Sequence, residues 1–100
     1  MGEPVIVRVD RELSVLVPRF LGNCRRDVLR IEESLANSDL DTARRIGHSL
    51  KGVGGGYGFA EITHLGAAIE AAAKVNDIQN AKAALRALAA YLDALQVEYE

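Results

Sequence analysis

Tryptophan is absent from this 100-residue sequence, and its aromatic content is only 5%, three Tyr and two Phe. So little ring mass, beside Ala and Leu in abundance through the second half, suits packed helices better than a β-sandwich. Cysteine is nearly absent too. Cys24 is the only one, so no disulfide can form within the chain, and a reducing compartment fits. Neither sign of charge prevails: 12 basic residues stand against 14 acidic ones, a net charge of −2. A nucleic-acid binder usually carries a clear basic excess, so that class is set aside. No apolar run approaches the ~20 residues that span a bilayer, since the longest is Ala87 to Leu92. The opening residues lack the basic-then-apolar pattern of a secretory leader. A cytoplasmic protein that engages neither membrane nor nucleic acid is expected.

What is present is apolar residue at helical spacing. Apolar content is 49%, enough for a core, and the length is that of a single domain, residues 1–100. Residues 1–9 read as a short extended lead-in. Asp10 is a candidate N-cap, and from it Leu13, Val17, Phe20, Cys24, Val28, Ile31 and Leu35 recur at three- and four-residue intervals. Pro18 interrupts this stripe, so a kink or two abutting helices are expected there. Ser38 with Asp41 resembles a capping box for a second helix bearing Leu40, Ala43, Ile46, Gly47 and Leu50 inward. A third helix carries Ile62, Leu65, Ile69 and Ala72 or Ala73. Asn76-Asp77 breaks it and caps a fourth, with Ile78, Ala81, Leu85, Leu88, Leu92 and Leu95 on its stripe. Short connections between long amphipathic helices predict an all-α, up-down-up-down four-helix bundle with an N-terminal extension or a kinked first helix.

One segment departs from this packing logic. On the second helix His48 lies roughly 140° from the core direction, facing solvent. Arg44, Arg45 and Lys51 flank it, while Gly52 at i+4 and Gly55 at i+7 share its face. Glycine inside a helix costs about 0.5–1 kcal/mol relative to alanine, so glycines beside an exposed imidazole need a reason. Without side chains there, another protein's surface can come down onto the ring. The neighbouring cations would stabilise a phosphoryl group on its nitrogen. A neutral imidazole nitrogen is a competent nucleophile near neutral pH.

The run His48-Ser49-Leu50-Lys51-Gly52, with Gly58 ten residues after the histidine, resembles the motif of the histidine-containing phosphotransfer (HPt) family. It is also similar to the phospho-accepting domain of chemotaxis kinases. The resemblance implies a four-helix bundle whose His48 accepts phosphate from a receiver-domain aspartate and passes it to another receiver. It implies Lys51 as a phosphate-stabilising cation, Gly52 as docking clearance and Gly58 as the turn into the next helix. Glu70, twenty-two positions after His48, stands where the family often has an acid or amide bonded to the second ring nitrogen. Arg44, Arg45, Gly55 and Gly58 complete the expected docking surface. The implied partners are response-regulator receivers and a hybrid histidine kinase. No cofactor is expected on this chain, the magnesium belonging to the receiver, and the protein would be a carrier rather than an enzyme. Where small residues usually follow the Lys-Gly pair, Val53 precedes three glycines, which would end the helix early or loosen its last turn.

Other readings of the same residues are weaker. Gly47 and Gly52 have the spacing of a phosphate loop, but Val53 stands where lysine is required. Tyr57 occupies the third-glycine position of a dinucleotide fingerprint, and no strand is expected before it. No ATP site is recognisable. His64 has no second ligand at metal-binding spacing, so it reads as a surface or boundary residue, and no metal site is expected. The alternatives to a carrier are a non-phosphorylated bundle that binds a receiver, a helical adaptor in which His48 is incidental, and a hydrolase built on a His48–Glu70 dyad.

Overall fold

In the computed structural model, which describes residues 3–100, the extended lead-in forms a paired strand, its first two residues lying outside the described ones. β1 (Val5–Val9) pairs in parallel with β2 (Leu95–Tyr99), from Val5 opposite Leu95 to Val9 opposite Tyr99. Two further bonds extend the ribbon: Glu100 N donates to Val9 O at 3.0 Å, and Arg11 N to Glu100 O at 2.9 Å. Parallel strands need a crossover between them, and here the whole helical body serves as one. This places Leu95 outside the last helix. The four-helix bundle stands, with the terminal ribbon as a small addition.

Asp10 caps a short 3₁₀ turn, Arg11–Leu13, its side chain accepting from Glu12 N at 2.9 Å. The first long helix, α1 (Val17–Ala36), starts only after a further turn, with Pro18 in its first turn. There the backbone donor is unpaired in any helix, so proline starts α1 and no kink is needed. α2 (Leu40–Val53), α3 (Ala60–Lys74) and α4 (Ile78–Ala94) follow.

The α1–α2 and α3–α4 corners use one device. Ser38 and Asn76 adopt left-handed backbone at φ 57° and 58°. Asp39 N then reaches Ser34 O at 2.7 Å, and Asp77 N reaches Ala72 O at 2.8 Å, which closes a Schellman motif at each corner. Each aspartate next caps the following helix, accepting from Thr42 N and from Asn80 N, both at 3.1 Å. The N-cap of α2 is therefore Asp39, not Ser38, whose left-handed backbone already ends α1.

The stripes converge on one core in which Ile31, Ala43, Ile62, Ile69, Ala81 and Leu88 are wholly buried. Phe59, just before α3, is wholly buried as well. It stacks on Phe20 at 5.9 Å between ring centroids, and Phe20 stacks on Tyr57 at 4.3 Å. These rings pin the glycine-rich connection to α1. Gly58, at φ 94°, makes the turn, and a side chain there would lie against buried Val9 of β1.

Candidate functional site

The largest helix–helix interface joins α2 to α3, and it positions the candidate site. Gly47 and Gly66 are buried in it, facing each other. A Cβ on Gly47 would lie 2.9 Å from both Glu70 N and Gly66 O, and one on Gly66 would lie 2.6 Å from Lys51 N. The two backbones thus pack directly on each other, as they can only where side chains are absent.

At this approach α3 presents a carboxylate to α2. Glu70 Oε2 lies 2.6 Å from His48 Nδ1, and Glu70 Oε1 lies 2.8 Å from Lys51 Nζ. The structure therefore brings together His48, Lys51 and Glu70 through one carboxylate. The imidazole is 66% exposed while the Glu70 side chain is 15% exposed, so the ring stands in solvent and its anchor lies beneath it. Lys51, then His48, hydrogen-bond the Glu70 carboxyl and hold it below the usual carboxylate range, against the opposing effect of partial desolvation. An ionised carboxylate only accepts hydrogen bonds, so the neutral ring must place its proton on Nδ1. That leaves the lone pair on Nε2, for which no side-chain hydrogen bond exists among the described residues.

The remaining candidates are distributed around this trio. Gly52 is exposed, and a side chain there would meet nothing within 4 Å. Arg44 and Arg45 share Asp41, one turn earlier, at 2.8 Å and 3.1 Å. Arg45 also lines a cleft between α1 and α2 with Asp27, Arg30, Ile46 and Ser49, on the flank of α2 away from Glu70. Gly55 is exposed but lies past the end of α2, in the 3₁₀ turn Gly55–Tyr57. Its N–H donates to Thr63 Oγ1 at 2.8 Å, and a side chain there would lean on Thr63 rather than continue the His48 face. The helical seven-residue relation between His48 and Gly55 thus fails, because α2 ends at Val53. Gly58 makes the turn before α3.

His64 is exposed, and no group of three potential metal ligands occurs among the described residues. Cys24 is buried in the core, where desolvation pushes its thiol up to about 12, so it has no thiolate chemistry near neutrality. The sequence reading did not single out Gly66, Thr63 or Phe59. A glycine in the middle of the α3 stripe was the available signal for the first of these.

Comparison with known proteins adds one finding. The family model described as the Hpt domain matches residues 15–98. No curated protein and no solved structure matches the chain. No helix among the described residues is long and apolar enough to cross a membrane.

Proposed function

The chain belongs to the Hpt domain family, and on that premise we propose that it is a phosphocarrier of a two-component relay, with His48 as acceptor. In this reading a receiver-domain aspartyl phosphate meets the exposed Nε2 of His48. The nitrogen lone pair attacks phosphorus in line; an N–P bond forms as the P–O bond to aspartate breaks, and the carboxylate leaves with the electron pair. The ring then carries positive charge together with the Nδ1 proton. Glu70, already accepting at Nδ1, offsets that charge without having to move. Lys51 stabilises the carboxylate, and as a cation one turn along α2 from His48 it would share the phosphoryl charge. Phosphate return to a second receiver runs the same step backwards. The observation that carries the reading is the Glu70 contact to Nδ1 at 2.6 Å beneath an exposed ring.

The receiver would supply the magnesium and its own acid-base groups, and this chain the nucleophile, its orientation and an open approach. That approach is over Gly52, where an added Cβ would stand in open space. A hybrid histidine kinase, through its receiver, would be the phosphate source.

The test is phosphoryl transfer from labelled phospho-receivers to the wild type and to His48→Gln. Label on the wild type alone, stable to alkali and labile to acid, is the expected result. Gly52→Trp is expected to block transfer while leaving the helical circular dichroism unchanged. Binding of a receiver without any labelling would replace the carrier reading with that of a non-phosphorylated bundle. Transfer to His48→Gln as fast as to the wild type would reject His48 as acceptor.

A further inference from the structure

The geometry points to Gly47 and Gly66 as positioning residues for His48: the backbone contact they permit between α2 and α3 sets the reach of Glu70 to Nδ1. The inference rests on the carrier reading and names the residues that hold its nucleophile in one tautomer. It goes beyond packing because of where the contacts fall. A Cβ on Gly47 would strike the backbone of Glu70 itself, at 2.9 Å from its nitrogen. A Cβ on Gly66 would strike Lys51 N at 2.6 Å, Gly47 O at 2.8 Å and Leu50 Cβ at 2.8 Å. His48 directly follows Gly47 in the chain. All three members of the network are thus anchored at this one seam. The obstructing atoms are mostly backbone, which cannot swing aside as a side-chain tip can.

Relieving those contacts requires α3 to retreat from α2 by several tenths of an ångström. The Glu70 bonds, at 2.6 Å and 2.8 Å, are already short, and hydrogen bonds weaken steeply with such displacement and misalignment. A neutral imidazole released into water favours the proton on Nε2, which would occupy the attacking lone pair.

A third glycine provides an internal control. A Cβ on Gly54 would lie 2.7 Å from Thr63 N, an equal insult to the same interface. It caps the C-terminal end of α2, and the atoms a Cβ there would meet belong to Thr63 and Ile62, outside the network.

The experiment reads the His48 tautomer by long-range proton–nitrogen correlation in nitrogen-15-labelled wild type, Gly47→Ala, Gly66→Ala, Gly54→Ala and Glu70→Asp. Phosphoryl acceptance is measured in parallel. In the wild type the proton sits on Nδ1. In Gly47→Ala and Gly66→Ala the population shifts to Nε2–H, and acceptance slows by about tenfold, as misplacement of a reacting group does. Gly54→Ala loses thermal stability but keeps the wild-type tautomer and rate. Glu70→Asp leaves the seam intact and withdraws the carboxylate by one methylene, so it also loses Nδ1–H; its folding does not depend on accommodating a Cβ. Retention of Nδ1–H in Glu70→Asp, or in a folded Gly47→Ala or Gly66→Ala, would show that the reach has slack and would overturn the inference. An equal tautomer shift in Gly54→Ala would overturn it too, by showing general loosening. A wild type that accepts no phosphate rejects the carrier reading, yet the tautomer measurement still decides the role of the glycines.

Discussion

Glu70 shows how one residue's environment turns a common side chain into a structural part. Its carboxyl is held below the ordinary range by the bonds from Lys51 and His48. A carboxyl with a depressed folded pKa contributes stability above the ordinary carboxylate range, and that contribution disappears as pH falls through the depressed value. The stability gap between wild type and Glu70→Gln should therefore be full near neutrality and close in acid. Urea unfolding at a series of pH values measures it. A gap independent of pH would mean that the Glu70 charge is not what Lys51 and His48 hold. At this scale the sequence was informative about His48 and Lys51, because the helical period puts a polar residue on a definite face. It also offered Glu70, but only by resemblance, since periodicity alone places Glu70 on a flank of α3 and says nothing of its reach. Gly66 went unread because a close backbone approach is a relation between two helices, which the α3 stripe that holds this glycine does not reveal by itself.

Among the elements, the starts of α2 and α4 rest on aspartate caps and the course of α3 on apolar spacing, which are local. The two ends of the chain do not. Leu92 and Leu95 satisfy a helical interval, yet from Leu95 to Tyr99 half-buried and exposed residues alternate, the period of a strand. That alternation, and the β-branched run Val5-Ile6-Val7, were present in the sequence. What decides between helix and strand there is the pairing of two segments ninety residues apart, which no local pattern encodes. The ribbon is tied to the body chiefly through Val9, 2% exposed and set against the Gly58 turn. Val9→Ala should cost about 2 kcal/mol, the transfer of two methyl groups plus the space they leave. Urea unfolding would show it as a lower midpoint with native helical content unchanged below the transition. No loss of stability would mean the ribbon rides on the bundle without bracing it.

Taken whole, the molecule is a slab of 41 × 28 × 18 Å with a radius of gyration of 13.4 Å, close to the ~13 Å of a compact domain this long. An open groove lined by Leu65, Ala87, Ala90 and Tyr91 among others lies between α3 and α4, away from His48. On the proposed carrier reading, transfer happens by encounter with a partner, so the field around His48 matters more than any pocket. The overall charge of −2 hides that field. On α2 beside His48 stand Arg44, Arg45 and Lys51, while Asp41 and Glu70 neutralise them only in part. A phosphorylated aspartate site is anionic, so this side should speed its approach over about one Debye length, ~10 Å at 0.1 M salt. Arg45 is the clearest probe: its side chain is 67% exposed, and Arg44 still holds Asp41 if Arg45 is changed. Arg45→Glu should lower the second-order rate of phosphoryl transfer several-fold and flatten its salt dependence, with the maximal rate at saturating receiver unchanged. Stopped-flow transfer at varied receiver and salt separates the two. A fall in the maximal rate instead would put Arg45 in the chemical step, and no change in either would mean that the receiver approaches from the α3 side, over Glu70.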